Sequence, residues 1–197
     1  SSISQMLITS KDLNIEYKNN FFSKDESSFF LDTFINNIKW RRDVIKIYGK
    51  SHLLPRLTAF FGDSGKTYSY SGIKMNPLPW TKEILAIKSK VEDFSGKSYN
   101  SVLLNRYRDG LDYQGYHSDD EASLGTNINI ASVSFGSVRD FSLKRKDKGS
   151  KTAITFPLGS GSVLIMRKPT QKNWLHSIPK RLKVNNERVN LTFRYII

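Results

Sequence analysis

Cysteine is missing from this chain altogether. That excludes disulfides and thiolate metal centres, so any metal it binds must sit on nitrogen and oxygen donors. Histidine is scarce too: there are three, His52, His117 and His176. An imidazole site must draw on that small set. No apolar run approaches the roughly 18–20 residues that a bilayer-crossing helix needs, so no membrane partner is expected. No apolar leader opens the chain, which starts Ser-Ser, and a targeting segment removed upstream is compatible with that start. Acids are few as well, 18 against 31 Lys and Arg, giving a net charge of +13 and a pI near 9.8. Such a field concentrates polyanions, and nucleic acid becomes the first partner to consider.

What is present suits one domain over residues 1–197. Hydrophobic residues make up 38% and aromatics 12%, enough for a real core. The lack of cysteine fits an intracellular protein, nuclear if eukaryotic and cytoplasmic if bacterial. A monomer is expected. The stretch "SKDESSFFLDTFINNIKW" (23–40) predicts a helix capped by Ser23, with Phe30, Phe34, Ile35 and Ile38 on one face. "PWTKEILAIKSKVEDF" (79–94) predicts a second, with Pro79 near its start and Ile84, Ile87, Val91 and Phe94 inward. Beyond residue 99 the pattern turns to short strands: "YNSVLLNRY", "NIASVSFG", "VRDFSLKRK", "TAITFPL", "GSVLIMR", "WLHSIP" and "RVNLTFRYII". The class is α+β, mainly β, with an antiparallel sandwich or barrel over 99–197 and two helices packed outside it. Residues 41–72 read as hairpin material that could form an appended, partly exposed lobe. Residues 1–41 carry no motif, and "GSGS" at 159–162 reads as a turn.

One short stretch runs against the basic character of the chain. "DYQGYHSDDEASLG" (112–125) gathers a histidine, three aspartates and a glutamate. His117 and Asp119 are spaced so that, in an extended segment, both point to one face. His176 lies in the later strand "WLHSIP". Two imidazoles and one carboxylate make the facial triad of non-haem Fe(II) oxygenases, which leaves open positions for co-substrate and oxygen. By itself H-x-D is a weak signal, and a solvated turn would contain it equally well. Arg188 and Arg194 strengthen it. Alternation puts residues 188, 190, 192 and 194 on one strand face, and two buried arginines there would need anions such as the two ends of a dicarboxylate.

With these pieces in hand, the sequence resembles the AlkB-type Fe(II)/2-oxoglutarate-dependent nucleic-acid dealkylases. "NRYRDG", "HSDDE", "IASVSFG", "FPLGSGSVLIM", "WLHSIPK" and "RVNLTFR" occur in that family's order, and the resemblance reaches upstream through "GDSGKTYSYSG" and "YGKSHLLPR". It covers roughly residues 42–197 and looks nearest to the branch repairing duplex DNA. It implies a double-stranded β-helix, or jelly roll, with two flanking helices and a nucleotide-recognition hairpin region at 41–72. His117, Asp119 and His176 would ligate Fe(II). Arg188, with Tyr107, would anchor the distal carboxylate of 2-oxoglutarate, and Asn105 and Arg194 would hold its chelating end. The implied reaction uses O2, oxidises an N-methyl group on a base such as 1-methyladenine or 3-methylcytosine, and releases succinate and formaldehyde.

The resemblance also implies how substrate is held. A base in a duplex must be flipped out to reach such a centre. Tyr70 and His117 would sandwich it, while Tyr68, Asp120 and Glu121 would face its polar edge, their negative charge favouring a cationic methylated ring. Tyr48, where that branch usually has Phe, would fill the gap in the stack from "IKIYGK". Arg56, Lys144, Arg145, Lys146, Lys148 and Lys151 are candidates for phosphate contact. His52 has no partner in the sequence. Three other readings are an enzyme acting mainly on RNA or single-stranded DNA, a non-catalytic nucleic-acid-binding module, and a hydroxylase of proteins or small molecules. The intact triad and arginine pair weigh against the module, and the +13 charge against the last.

Overall fold

The computed structural model describes residues 3–147 and 153–197. Its first elements are strands β1 (Gln5–Thr9) and β2 (Asn14–Lys18) and helix α1 (Lys24–Asn37). Strands β3 (Val44–Ile47), β4 (Lys50–Leu53), β5 (Leu57–Gly62), β6 (Tyr68–Tyr70) and β7 (Ile73–Met75) precede helix α2 (Lys82–Ser95). Then come β8 (Ser101–Tyr107), β9 (Gln114–His117), β10 (Ile130–Gly136), β11 (Arg139–Arg145), β12 (Ala153–Leu158) and β13 (Ser162–Arg167). A helical turn, α3 (Thr170–Asn173), leads into β14 (Trp174–Ile178), and β15 (Arg188–Arg194) follows.

Both long helices begin at side-chain caps. Ser23 and Glu26 form a reciprocal capping box, and α1 ends before Ile38. Helix α2 starts at Thr81, whose hydroxyl accepts from the Ile84 amide, so Pro79 lies outside it; Gly96 closes it in the left-handed region.

Two antiparallel sheets face each other as a jelly roll. The larger runs β1-β2-β13-β10-β15-β8-β5 and the smaller β12-β11-β14-β9. The large sheet is therefore not confined to residues 99–197. Strands β1 and β2, from a region without a motif, extend one edge, and β5, from the expected lobe, closes the other. What stands outside it is two hairpins, β3–β4 within 41–72 and β6–β7, which runs past that range to Met75.

The period-2 alternation of the central strands decides which groups meet where. On β15, Val189, Leu191 and Phe193 pack with Ala131, Val133, Phe135, Val102 and Leu104 against Phe30, Phe34, Ile84, Ile87 and Val91 of the helices. Each fully buried side chain of this kind contributes roughly 1.5–3 kcal/mol. The other face of the sheet looks into the barrel. There Tyr107, Ile130, Leu164 and Met166 meet Phe141, Leu143, Phe156 and Trp174 of the smaller sheet. Arg188, Asn190, Thr192 and Arg194 share that inner face and are all buried. Four polar residues in a row inside an apolar barrel must be paired or serve a ligand.

Candidate active site

Strand β14 carries His176 directly opposite His117, the last residue of β9. Their ring centroids are 4.2 Å apart. Asp119 lies two residues beyond the end of β9, and its carboxylate comes together with the two imidazoles. His117 Nε2 is 4.0 Å from Asp119 Oδ1 and His176 Nε2 is 3.8 Å from Asp119 Oδ2. One potential ligand atom from each residue lies within 4.8 Å of the others.

The electrostatics suit a cation. Burial pushes the Asp119 carboxyl up, but the Arg194 guanidinium and the two imidazoles more than offset this and hold it at about 2. His176 is pushed down to about 3, by burial first and by the neighbouring His117 imidazole second. The centre thus presents one carboxylate and a neutral buried imidazole at ordinary pH. His117 Nδ1 lies 2.9 Å from the Gly115 carbonyl, which can only accept, so Nδ1 carries a proton and Nε2 is the atom left to face a metal. Among the described residues, Asp119 Oδ2 and His176 Nδ1 are buried and without a hydrogen-bond partner. Such a donor set, with an orphaned carboxylate oxygen, fits a divalent iron ion.

A cavity beside the triad is lined by Asn105, Tyr107, Ser132, Arg188, Asn190, Thr192 and Arg194, with Leu158 and Met166 as apolar wall. Arg188 stands opposite Tyr107 in the β15–β8 ladder, and Asn190 opposite Asn105. The Arg188 guanidinium donates to Ser134 Oγ at 2.9 Å, but its Nε and Nη1 have no hydrogen-bond partner among the described residues. Burial depresses its pKa to about 10. Arg194 donates from Nη2 to Asp119 Oδ1 at 3.1 Å and likewise leaves Nε and Nη1 unsatisfied. Burial pulls the Arg194 pKa down, but Asp119, Tyr68 and Glu121 together outweigh it and leave it raised. Two buried guanidiniums with unpaired N–H groups in one cavity fit a dicarboxylate such as 2-oxoglutarate, Arg188 at the deep end and Arg194 beside the metal ligands.

A second cavity opens from the triad toward the surface, lined by Tyr68, Tyr70, His117, Asp119, Glu121, Arg56, Tyr113 and Tyr116. Tyr68 donates to Glu121 Oε1 at 2.9 Å, leaving Oε2 buried and unpartnered, as is the Tyr70 hydroxyl. Burial pushes the pKa of both tyrosines and of Glu121 up.

Not every expected substrate residue joins this cavity. Asp120 turns outward and pairs with Lys146 at 3.2 Å. Arg56 is buried, donating to Asn105 Oδ1 at 2.9 Å and to the Tyr113 carbonyl at 3.1 Å. It lines the outer cavity from a buried position. Arg145 pairs with Asp12, and Lys144 lies 4.0 Å from the Tyr116 ring centroid. Lys148 and Lys151 fall outside the described residues. Tyr48 is fully exposed at the tip of β3–β4, away from the triad, and His52 is exposed on β4. Gln171, whose carboxamide accepts from the Asp119 amide at 2.8 Å, has no signal in the sequence. Asn190 and Thr192 could be found, since they share the alternation of Arg188 and Arg194.

Comparison with known proteins agrees with this geometry. The family model described as "2OG-Fe(II) oxygenase superfamily" matches residues 14–194. The chain belongs to that superfamily, whose cofactors are Fe(II) and 2-oxoglutarate. It is 44% identical to the human protein named DNA oxidative demethylase ALKBH2, over 78% of this chain and 61% of that one. With the Arabidopsis thaliana protein of the same name it shares 39% identity, over 92% and 66%. The rat protein named alpha-ketoglutarate-dependent dioxygenase alkB homolog 3 is 36% identical, over 89% and 62%. The chain spans about three fifths of the length of the curated relatives it matches. A solved structure titled "The structure of OsALKBH1" covers 97% of this chain with a TM-score of 0.69 at 17% identity, a likeness of fold.

Proposed function

We propose that this protein is a DNA repair dioxygenase that oxidatively demethylates N-alkylated bases, 1-methyladenine and 3-methylcytosine among them, in flipped-out nucleotides of duplex DNA, releasing formaldehyde and succinate. The observation that carries this reading is the meeting of two cavities at His117, Asp119 and Arg194. One holds unpaired guanidinium N–H groups, and the other holds tyrosines and a buried carboxylate oxygen. The relatives named as DNA oxidative demethylases and the +13 charge support DNA as the substrate.

Fe(II) with 2-oxoglutarate and O2 would supply the oxidising chemistry. The residues supply position. His117, Asp119 and His176 would hold the metal where the two cavities meet. Arg188 and Tyr107 would hold the far carboxylate of the co-substrate, and Arg194 and Asn105 would hold the near end. The apolar wall from Leu158 and Met166 keeps water from that cavity. In the outer cavity the Tyr70 ring and the His117 imidazole would flank a planar base. Glu121, oriented by the Tyr68 hydroxyl, would accept from its edge and offset the positive charge of a methylated ring. A flipped base would thus present its methyl group to the open face of the triad.

The test is mass spectrometry of a 1-methyladenine duplex incubated with the protein, Fe(II), 2-oxoglutarate and ascorbate. Loss of the methyl mass with succinate and formaldehyde release, abolished by His117→Ala, is expected. DNA binding without turnover would favour a recognition module instead. Matched single-stranded and RNA oligonucleotides establish which polymer is preferred.

A further inference from the structure

The iron-ligating carboxylate proposed above is not positioned by its own strand. The β9–β14 ladder ends at His117, two residues before Asp119. The buried Asp119 amide finds its partner on another element: it donates to Gln171 Oε1 at 2.8 Å. An N–H can only donate, so this bond fixes the orientation of the carboxamide, and its amino group then donates to Met166 Sδ at 3.4 Å. Gln171 is 3% exposed and sits on the helical turn α3.

That turn is itself tethered to the start of the chain. The Thr170 hydroxyl accepts from the Asn14 amide at 2.9 Å and donates to the Asn14 carbonyl at 3.0 Å. Asn173 Nδ2 reaches the Pro169 carbonyl at 3.1 Å and the Asp12 carbonyl at 3.5 Å. Strand β2, which lies outside every motif of the chain, is thus linked through Thr170 and Gln171 to the backbone of Asp119.

Such a link matters because Asp119 has a competitor for the metal. Arg194 already holds its Oδ1 at 3.1 Å in a buried ion pair. A segment with no ladder could shift toward that guanidinium and close the orphaned Oδ2 off from the two imidazoles. The Gln171 bond holds the residue's backbone from the side of α3.

We propose that Gln171 is a positioning residue of the metal centre. Anchored through Thr170 to the N-terminal strand β2, it holds Asp119 in its ligating position against the pull of Arg194. The inference rests on the reading of His117, Asp119 and His176 as the metal site. Loss of a group that orients a metal ligand commonly weakens metal affinity by about 10–100-fold.

The experiment titrates the full chain with Mn(II), a stand-in for Fe(II) that needs no oxygen exclusion, and follows free metal by electron paramagnetic resonance. Gln171→Leu, which keeps bulk but removes the acceptor, should raise the Mn(II) Kd by about tenfold or more. Gln171→Glu, which still accepts from the Asp119 amide, should stay within about threefold of the parent. Thr170→Val, equal in shape but without its hydroxyl, should fall between them. The melting temperature of the metal-free variants registers any structural cost separately. If Gln171→Leu binds Mn(II) like the parent, the inference is overturned; should that variant not fold, the Thr170→Val titration decides in its place. A parent that binds no Mn(II) would take down the metal-centre reading, and this inference with it.

Discussion

Arg188 and Tyr107 face one another across the β15–β8 ladder, with the guanidinium carbon 5.0 Å from the ring centroid. The ring covers the cation but cannot satisfy its unpaired N–H groups. A buried charge without a full set of partners weakens a fold, and it persists where a ligand completes it.

Removing that charge should therefore separate stability from function. We predict that Arg188→Met, similar in reach and uncharged, stabilises the co-substrate-free protein by about 1 kcal/mol. Ser134 Oγ would still receive Asn190 Nδ2 at 3.3 Å. The same variant should lose the rise in melting temperature that 2-oxoglutarate gives the Mn(II)-loaded parent. Calorimetry with and without the keto-diacid reads both effects. A variant that is less stable, or that still responds to the ligand, would contradict the assignment.

The metal-free protein should be sensitive to mild acid through His176. Its pKa falls from 6.5 to about 3 on burial, helped by His117 and opposed by Asp119. Between those values the unfolded chain binds a proton that the folded one does not, so stability falls as pH drops through this window, by about 1.4 kcal/mol per unit. His176→Gln should flatten the dependence. Urea unfolding in chelator, from about pH 7 down to pH 4, compares the slopes. Equal slopes for parent and variant would mean the imidazole titrates normally in the fold.

Glu121 provides a test of charge recognition. Its Oε2 is buried and unpartnered, while Tyr68 occupies Oε1. Glu121→Gln keeps the shape and removes the negative charge. Trading a charge-assisted bond for a neutral one should lower kcat/KM on a cationic methylated base by about tenfold, and leave succinate formation without DNA unchanged. A fall in both rates would place Glu121 in the metal centre instead.

Strand β15 shows why much of this site was legible in the sequence. In "RVNLTFR" the apolar residues alternate with Arg188, Asn190, Thr192 and Arg194, and a period of two has only one reading on a sheet. Strands β1 and β2 were not legible, because each alternates over five residues alone, too short a run to stand out, although that alternation buries Ile15 and Tyr17 of β2. Strand β5 was hidden between two hairpins. Adjacent acids could not be told apart: the segment after His117 sends Glu121 to Tyr68 and Asp120 to Lys146. Gln171 escaped because its bond to Asp119 crosses 52 residues and depends wholly on packing.

The duplex preference proposed above should reside in Tyr48. It and Gly49 form the turn of the β3–β4 hairpin with φ of 49° and 76°, both in the left-handed region. A non-glycine residue held there costs roughly 1–2 kcal/mol, and its ring is fully exposed between Lys46 and Lys50. Stability does not explain an exposed aromatic at a strained position, whereas a stack opened by base flipping would accept the ring, a contact worth about 1–3 kcal/mol. Tyr48→Ala should therefore lower turnover on a methylated duplex by about tenfold and leave the matched single strand nearly untouched. Tyr48→Phe should behave as the parent, since the ring and not the hydroxyl enters the stack. Single-turnover rates on paired oligonucleotides carrying one lesion measure this directly. An equal loss on both substrates would make the hairpin a general contact surface and withdraw the case for duplex DNA.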